Sequence, residues 1–371
     1  MITRAAVCRE PGKPWEITDL ELDEPKANEV RIKFYAAGLC HSDDHIQKGD
    51  ARMRFPVVGG HEGAGIVDAV GEGVTRAALG DHVVCSFIPV CGHCRYCSTG
   101  RQNLCDAGKN ASTGEFADGT FRFHQDGEDF GGLCVLGTFS QYAVVSEFSV
   151  IRIPEDIPFD IASLVACGVP TGWGSAVHAA GVRVGQTVVI YGSGGVGSNA
   201  VQGARLAGAK IIVVVDPVEF KRDMAMVFGA THTFATAKEA FEFVRETTWG
   251  ELADHAIITV GVLHDEVIHD AIQIVGKTGQ VTLTAVGAGW IDENPGILIG
   301  YQRRIQGAIY GACNPLLDVP ALFGLYRTGD LKLDELITRR YKLADVNQGY
   351  QDMLDGKNIR GVIIHEHEGA E

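Results

Sequence analysis

Long apolar runs and an excess of basic residues are both missing from this sequence. No stretch reaches the roughly 18 apolar residues that a membrane-spanning helix needs, and the first residues contain no apolar core of a secretory signal. The 32 basic and 47 acidic side chains give a formal net charge of −15, which disfavours nucleic acid and anionic membranes as partners. We therefore expect a cytoplasmic protein with neither a nucleic-acid nor a membrane partner.

Internal repeats and low-complexity tracts are absent as well. With 371 residues the chain is long enough for two domains with large cores. Several of its ten cysteines are clustered. In a chain without an export signal, such clusters indicate metal binding before disulfides.

A glycine-rich turn lies between two apolar runs at residues 187–190 and 211–215. The order strand, turn, helix, strand predicts a dinucleotide site, because glycines allow a tight turn, close approach of a pyrophosphate and close packing of the helix. The turn and helix start comprise Gly192, Gly194, Gly195, Val196 and Gly197. Asp216 would accept hydrogen bonds from ribose hydroxyls and repel a 2′-phosphate, which favours NAD over NADP. An ordinary βα turn is the alternative.

Four cysteines lie within fifteen residues: Cys91, Cys94, Cys97 and Cys105. Thiolates at this spacing can surround one tetrahedral ion and leave no position for a substrate, which predicts a structural zinc site. The alternatives are disulfides and an iron–sulfur cluster. The bacterial iron–sulfur pattern has three residues before its fourth cysteine and then proline, whereas here the gap is seven residues and Asp106 follows.

Three further candidate ligands are far apart in the sequence. Cys40 follows a predicted strand, His61 lies in a Gly-Gly-His-Glu-Gly segment, and Cys167 lies near glycines at a predicted domain junction. Taken alone, Cys40 and His61 are more readily explained as buried core residues. Together with Cys167 they would provide three protein ligands and one open position, which is the arrangement of a catalytic zinc site.

The two halves of the chain differ in their patterns. Residues 1–150 predict an all-β domain without a helix of useful length, best described as a partly open barrel, and residues 98–135 predict a long loop near the site. From residue 187 onward, apolar strands alternate with helices, which predicts a parallel sheet covered on both faces. The predicted strands are 187–190, 211–215, 231–234, 256–260, 280–284 and 304–309. A last strand at 361–365 is expected to return to the first domain.

Several segments together resemble the zinc-containing medium-chain alcohol dehydrogenases over essentially the whole chain. They are GLCHSDDH (38–45), GGHEGAGIV (59–67), the four-cysteine loop, VACGVPTGWGSAV (165–177), YGSGGVGS (191–198) and GKNIRGVI (356–363). Within that family the chain looks most similar to the actinobacterial nicotinoprotein branch, which retains NAD and uses a nitrosoaniline dye as acceptor. The segments that suggest this branch are DPVEFKRDMAMVFGATH (216–232), YGACNP (310–315) and YQDMLDGKNIRGVI (350–363).

The resemblance implies an α/β plus β fold. A GroES-like, partly open β-barrel catalytic domain would comprise residues 1–165 and 310–371, with the structural zinc loop. A Rossmann domain with a doubly wound parallel sheet, residues 166–309, would bind NAD. The resemblance also implies two zinc ions per subunit, one catalytic and one structural, and a homo-oligomer, either a dimer or a tetramer.

The resemblance further implies roles for individual residues at the metal. The implied ligands are Cys40, His61 and Cys167 for the catalytic zinc and Cys91, Cys94, Cys97 and Cys105 for the structural zinc. Asp43 would orient the ring of His61, and Glu62 would approach the metal during ligand exchange. Ser42 and His45 would pass the proton of the alcohol towards solvent.

Other residues are implied at the cofactor and the substrate. The implied contacts are Asp216 and Lys221 with the adenosine ribose, Arg360 with the pyrophosphate and Thr171 with the nicotinamide. Phe87, Phe139 and Ile309 would line the substrate pocket. Many relatives have arginine directly after the first ligand, where this chain has His41, so the contact of His41 with the pyrophosphate stays open.

The activity implied is the reversible oxidation of primary alcohols to aldehydes by hydride transfer to NAD. In the nicotinoprotein version, NAD stays bound and a second substrate reoxidises it. The alternative within the family is a formaldehyde dehydrogenase that acts on an S-hydroxymethyl thiol adduct. A non-catalytic sensor with the same fold is disfavoured, because all three candidate ligands of the catalytic metal are present.

Overall fold

The computed structural model describes residues 1–287 and 289–367. The chain forms two compact units. The first unit comprises Met1–Cys167, Asn314–Leu325 and Leu333–Glu371, and the second comprises Gly168–Cys313 and Tyr326–Lys332. The domain limits expected from the sequence stay a prediction, and residues 368–371 at their end lie outside the described residues.

The first unit begins with short strands separated by turns. The strands are β1 (Ile2–Cys8), β2 (Glu16–Leu22), β3 (Glu29–Gly38), β4 (Val57–Val58), β5 (Gly63–Val70), β6 (His82–Cys85), β7 (Phe123–Gln125), β8 (Glu128–Gly132), β9 (Tyr142–Ser146) and β10 (Val150–Arg152). The helices are α1 (His41–Lys48), α2 (Arg95–Ser98) and α3 (Phe159–Leu164).

The second unit alternates strands with helices. Its strands are β11 (Thr187–Tyr191), β12 (Ile211–Val215), β13 (His232–Phe234), β14 (Ala253–Ile258), β15 (Val275–Leu283) and β16 (Arg304–Gly307). Its helices are α4 (Gly168–Gly174), which continues into a π-helical segment at Ser175–Ala180, α5 (Gly195–Leu206), α6 (Glu219–Phe228), α7 (Ala237–Thr247), α8 (Asp265–Ile274) and α9 (Pro295–Tyr301).

The C-terminal part of the chain adds two helices and two strands. These elements are α10 (Pro315–Arg327), β17 (Ile337–Lys342), α11 (Val346–Leu354) and β18 (Arg360–Ile364). Strand β18 pairs with β3 of the first unit, as expected from the sequence for the last strand. Within residues 1–287 and 289–367, no helix combines the length and the apolar character that crossing a membrane requires.

The strands of the first unit form a barrel and a second sheet. Strands β1, β2, β7, β8 and β4 close into the barrel, and the second sheet runs β10-β6-β5-β3-β18-β17 with β9 also paired to β3. Alternate side chains of these strands are buried, as in β3, where Val30, Ile32 and Phe34 have no exposed surface. Burial of these apolar side chains stabilises the unit through the hydrophobic effect.

The second unit contains a six-stranded sheet in the order β13-β12-β11-β14-β15-β16, and every neighbouring pair is parallel. The reversal of strand order between β11 and β14 is the switch point at which such sheets bind dinucleotides. The strands β11 and β12 are continuous runs of buried residues, typical of a sheet covered on both faces. The expected fold class, a β-barrel domain plus a doubly wound parallel sheet, is confirmed.

Two local expectations for the first unit were wrong. The N-terminal half contains a helix, α1, with Asp43 and Asp44 in its first turn and Gly49 at its C-cap with φ +86°. These are ordinary helix signals, but eight residues are too few for a clear apolar period. Residues 98–135 are not one long loop, because β7 and β8 lie there and complete the barrel. Both strands are short, and β8 ends in two glycines.

Candidate functional site

The four-cysteine loop brings its four thiols together. The sulfur atoms of Cys91, Cys94, Cys97 and Cys105 all lie within 4.8 Å of one another. The separation is 4.0 Å between Cys91 and Cys97 and 3.9 Å between Cys94 and Cys105. A tetrahedral zinc with Zn–S bonds of about 2.3 Å requires sulfur atoms about 3.8 Å apart. The thiols therefore fit a zinc ion.

Backbone N–H groups of the same loop point at the sulfur atoms. The N–H groups of Cys94, Cys97 and Cys91 donate to the sulfurs of Cys91, Cys94 and Cys105 at 3.3, 3.4 and 3.3 Å. Hydrogen bonds from the backbone at Cys97 and Asp106 lower the pKa of Cys94 to about 6. Such donors favour the thiolate, which is the form that binds a metal. None of the ten cysteines, all of which lie in the described part of the chain, forms a disulfide.

The second cluster is assembled by the pairing of β3 with β5 and β18. Ala37 of β3 pairs with Gly63 of β5, and Gly38 pairs with Val362 of β18. This register places Cys40, two residues after β3, near His61, two residues before β5. The ligand atoms of Cys40, His61, Glu62 and Cys167 lie within 4.8 Å of one another, and all four residues belong to the first unit. The structure thus brings the three candidate catalytic ligands together.

A buried carboxylate faces His61 from helix α1. The Oδ2 atom of Asp43 lies 3.2 Å from Nδ1 of His61, and its Oδ1 accepts a 2.9 Å hydrogen bond from the N–H of Gly60. Asp43 has no exposed surface. A carboxylate in this position holds the ring of a ligating histidine so that its other nitrogen faces the metal.

Glu62 and Arg360 form a buried ion pair next to the same cluster. The guanidinium of Arg360, the first residue of β18, donates to Oε2 of Glu62. Burial raises the pKa of Glu62 to about 7, although Arg360 beside it lowers this pKa. Gly38 makes room for the pair, because a Cβ atom there would lie 2.1 Å from Oε2 of Glu62. The structure therefore places Arg360 against Glu62, and its contact with a pyrophosphate stays a prediction.

Helix α1 carries the other polar candidates. Cys40 is its N-cap residue, and the Oγ atom of Ser42 lies 3.6 Å from Sγ of Cys40. His45 is 3% exposed, and its Nδ1 lies 3.3 Å from Oδ2 of the exposed Asp50. His41 is the first residue of the helix. One eight-residue helix therefore carries Ser42, Asp43 and His45.

The three candidate pocket residues differ in their surroundings. The ring of Phe87 lies edge-on to His61 with centroids 5.8 Å apart. Phe139 has no exposed surface and packs edge-on against Trp15 in the core. Whether Phe139 lines the substrate pocket stays a prediction. Ile309 is 49% exposed and belongs to the second unit.

The glycine turn of the second unit has the geometry that the sequence predicts. Gly192 has φ +87°, Gly194 is the N-cap of α5, and Gly195 and Val196 begin the helix. A Cβ atom at Gly197 would lie 1.9 Å from the carbonyl oxygen of Gly192, so a larger residue would separate helix and strand. At Gly194 an added Cβ would meet nothing within 4 Å. The N-terminus of α5 is thus accessible to phosphate oxygens.

Asp216 follows β12 and lies next to this turn. Its Oδ2 accepts a 2.8 Å hydrogen bond from the N–H of Ser193, and its Oδ1 accepts one of 2.9 Å from the N–H of Val218. These bonds fix a carboxylate that is 4% exposed, and each oxygen keeps a lone pair for a ribose hydroxyl. Lys221 lies on α6, and Thr171 lies on α4 with 9% exposure.

Sequence reasoning missed two residues that support the turn and the acid. The hydroxyl of Thr259 lies 2.8 Å from the carbonyl oxygen of Gly192 and 3.0 Å from that of Tyr191. The guanidinium of Arg222 donates to the carbonyl oxygen of Asp216 at 2.8 Å. Because Arg222 directly follows Lys221, the sequence could have suggested Arg222 as a second basic residue near Asp216. No pattern in the sequence indicates that Thr259 supports the glycine turn.

Comparisons with known proteins agree with this geometry. The Alcohol dehydrogenase GroES-like domain matches residues 26–155, and the Zinc-binding dehydrogenase domain matches residues 195–324. The chain is 53% identical to the NDMA-dependent alcohol dehydrogenase of Amycolatopsis methanolica, over 98% of this chain and 99% of that protein. This chain belongs to the zinc-dependent medium-chain alcohol dehydrogenase family.

More distant members of the family are similar over the same length. The chain is 37% identical to the S-(hydroxymethyl)glutathione dehydrogenase of Paracoccus denitrificans, over 98% of this chain and 100% of that protein. The crystal structure of an alcohol dehydrogenase zinc-binding domain protein from Burkholderia ambifaria has a TM-score of 0.90 at 31% identity, with 99% and 100% of the two chains covered. The protein is therefore an oxidoreductase whose family uses zinc and a nicotinamide cofactor.

Proposed function

We propose that this protein is an NAD-dependent zinc alcohol dehydrogenase that oxidises primary alcohols to aldehydes and keeps NAD bound during turnover. The observation that carries the proposal is the convergence of Cys40, His61 and Cys167 in the first unit, which also contains a separate cluster of four thiols. Three ligands with an open position are typical of catalytic zinc, and four cysteines are typical of structural zinc. The proposal therefore includes two zinc ions per subunit.

Each proposed group has a defined chemical task. Zinc held by Cys40, His61 and Cys167 would supply Lewis acidity towards a substrate oxygen. NAD held by the second unit would supply the hydride acceptor. We assign the catalytic domain to residues 1–165 and 310–371 and the cofactor domain to residues 166–309.

The proton of the alcohol would leave through helix α1. The hydroxyl of Ser42 would hydrogen-bond the substrate hydroxyl; its 3.6 Å distance from Sγ of Cys40 supports this role. His45 would accept the proton and release it towards solvent, since its ring lies against the exposed Asp50. Asp43 keeps the ring of His61 in place, and Glu62 is the carboxylate that would approach the metal when a ligand exchanges.

The residues of the second unit support NAD rather than NADP. A 2′-phosphate would meet the buried carboxylate of Asp216, which its two backbone hydrogen bonds hold in place. Lys221 would bind the adenosine ribose, and Thr171 would pack against the nicotinamide. In the first unit, Arg360 and His41 are the candidates for the pyrophosphate.

Retention of NAD is proposed from similarity to the NDMA-dependent enzyme. The test uses protein purified and dialysed without added cofactor. Addition of ethanol should produce the absorbance of reduced nicotinamide. Addition of the nitrosoaniline acceptor NDMA should then remove this absorbance, because the bound cofactor is reoxidised. If the dialysed protein shows no such absorbance and turns over only with free NAD, the proposed retention is wrong although the dehydrogenase activity stands.

A second candidate function follows from the similarity to the S-(hydroxymethyl)glutathione dehydrogenase. The enzyme would then oxidise the adduct of formaldehyde with a thiol. Rates with formaldehyde plus glutathione, measured beside rates with ethanol, decide between the two. A much higher rate with the adduct than with ethanol would support the second function and contradict the first. We also propose a homo-oligomer, either dimer or tetramer, and a cytoplasmic location; size-exclusion chromatography with light scattering tests the first of these.

A further inference from the structure

We propose that Tyr350, on helix α11, is a positioning residue for His61 and acts by donating its phenolic hydroxyl to the carboxylate of Asp43. The inference rests on the proposed zinc site, because it concerns one of the three zinc ligands. It adds a residue from the C-terminal part of the chain, 289 positions after His61, to the groups that hold this ligand.

The hydroxyl of Tyr350 is buried beside the carboxylate of Asp43. Tyr350 is 3% exposed, and its hydroxyl is buried. Within residues 1–287 and 289–367, no group forms a hydrogen bond with this hydroxyl at normal geometry, and the carboxylate of Asp43 lies next to it. A phenol is protonated at neutral pH, and an ionised carboxylate can only accept. The direction of the contact is therefore from Tyr350 to Asp43.

Asp43 has capacity for this additional donor. Its Oδ1 accepts the N–H of Gly60, and its Oδ2 faces Nδ1 of His61 at 3.2 Å. A carboxylate has about four lone-pair sites, so one further donor is compatible with both contacts. A third donor limits the rotation of the carboxylate and so keeps Oδ2 directed at His61.

The ring of Tyr350 is itself held by neighbouring aromatic residues. It stacks on Trp15 with centroids 6.2 Å apart and lies 6.3 Å from Phe139. The side chain of Asn347, also on α11, binds the backbone N–H and carbonyl oxygen of Trp15 at 3.0 and 2.8 Å. Phe139 in turn packs against Gly60, where an added Cβ would lie 2.5 Å from the ring. Helix α11 and the turn before His61 are thus packed as one cluster.

The test compares Tyr350→Phe, which removes only the hydroxyl, with a matched control. The control is Tyr341→Phe, because the hydroxyl of Tyr341 also donates to a carboxylate, that of Asp352, at 2.9 Å. The readouts are the rate of zinc release to a chromogenic chelator and the visible spectrum of protein in which cobalt replaces the catalytic zinc. In the unchanged chain, zinc should leave in two phases, and Cys167→Ala should abolish the phase of the catalytic site.

We expect Tyr350→Phe to accelerate zinc release from the catalytic site about tenfold. Loss of a group that supports a metal ligand typically weakens metal binding by about 10- to 100-fold, and this value is at the low end. The cobalt spectrum should shift, and Tyr341→Phe should change neither quantity. In an Asp43→Asn background, Tyr350→Phe should have no further effect, because residues that act through one another are not additive. Additive effects in the double variant, or a release rate and spectrum equal to those of the unchanged chain, would overturn the inference.

A second variant covers the case in which Tyr350→Phe does not fold. Tyr350→His retains a ring with an N–H donor, and we expect it to release zinc at nearly the rate of the unchanged chain. Release as fast as that of Asp43→Asn would contradict the inference. If the unchanged chain shows no phase that depends on Cys167, the proposed zinc site itself fails, which is a separate outcome.

Discussion

The four-cysteine loop and the cluster of Cys40, His61 and Cys167 offer similar candidate ligands for the proposed zinc ions but are built differently. The loop takes four thiols from fifteen residues, and its own backbone N–H groups donate to three of the sulfurs. The second cluster takes its ligands from three distant segments, brought together by the pairing of β3 with β5 and β18. The comparison suggests that the loop determines its own geometry, whereas the second cluster depends on the folded sheet and on groups beyond the ligands.

Removal of one ligand from the second cluster should have the largest effect on activity. Loss of a residue that only supports a metal ligand typically lowers activity by about 10- to 100-fold. Because Cys167→Ala removes a proposed ligand itself, we expect it to reduce turnover by more than about 100-fold. Metal analysis should give one zinc per subunit instead of two, and the melting temperature should change little. An active Cys167→Ala variant would contradict the proposed division between the clusters.

Removal of one ligand from the loop should act mainly on stability. We expect Cys97→Ser to lose the other zinc, because a structural zinc contributes to folding. A loss of about 2 kcal/mol would lower the Tm by about 4–8 °C in a domain of this size. Differential scanning calorimetry and metal analysis check this. A loss of turnover in Cys97→Ser at unchanged Tm would mean that the loop is not purely structural.

The glycine turn extends the comparison to a third, locally built feature. Gly197→Ala should destabilise the second unit by about 1–3 kcal/mol, because its Cβ would meet the carbonyl of Gly192. Gly194→Ala is its matched control, since φ is −78° and no atom lies within 4 Å of the added Cβ. The Tm of Gly194→Ala should therefore be unchanged. A reduced NAD content in that variant would show that the cofactor approaches Gly194.

The smallest effect concerns the reactivity of the thiols in protein stripped of zinc. Backbone donors lower the pKa of Cys94 to about 6, so its reactive thiolate is present above pH 6 and is lost as the pH falls below it. A hydrogen bond with Cys40 and burial raise the pKa of Cys167. Iodoacetamide should thus modify Cys94 with a midpoint near pH 6 and leave Cys167 unmodified at pH 7, as measured by peptide mass spectrometry. Circular dichroism must show that the stripped protein remains folded, and earlier modification of Cys167 would contradict the comparison.

The agreement between sequence and structure follows the same division between local and distant features. The glycine turn and the strands β11 and β12 agree with the sequence-based prediction nearly to the residue, because each depends on neighbours in the chain. The sequence does not predict the short helix α1, since eight residues carry too little periodicity, and it predicts a loop where β7 and β8 lie. Phe139, a predicted pocket residue, has no exposed surface and packs in a core cluster. Its burial depends on Trp15 and Tyr350, neither of which is near it in sequence.

The sequence alone determined the residue types at both clusters, the glycine geometry and the acid after β12, because ligand chemistry and backbone conformation are properties of short segments. Only the tertiary structure decided that Arg360 pairs with Glu62 and that Tyr350 lies beside Asp43. These contacts join residues up to 307 positions apart. No local pattern records such a contact, because it arises when strand pairing and burial leave polar groups that must find partners in the interior.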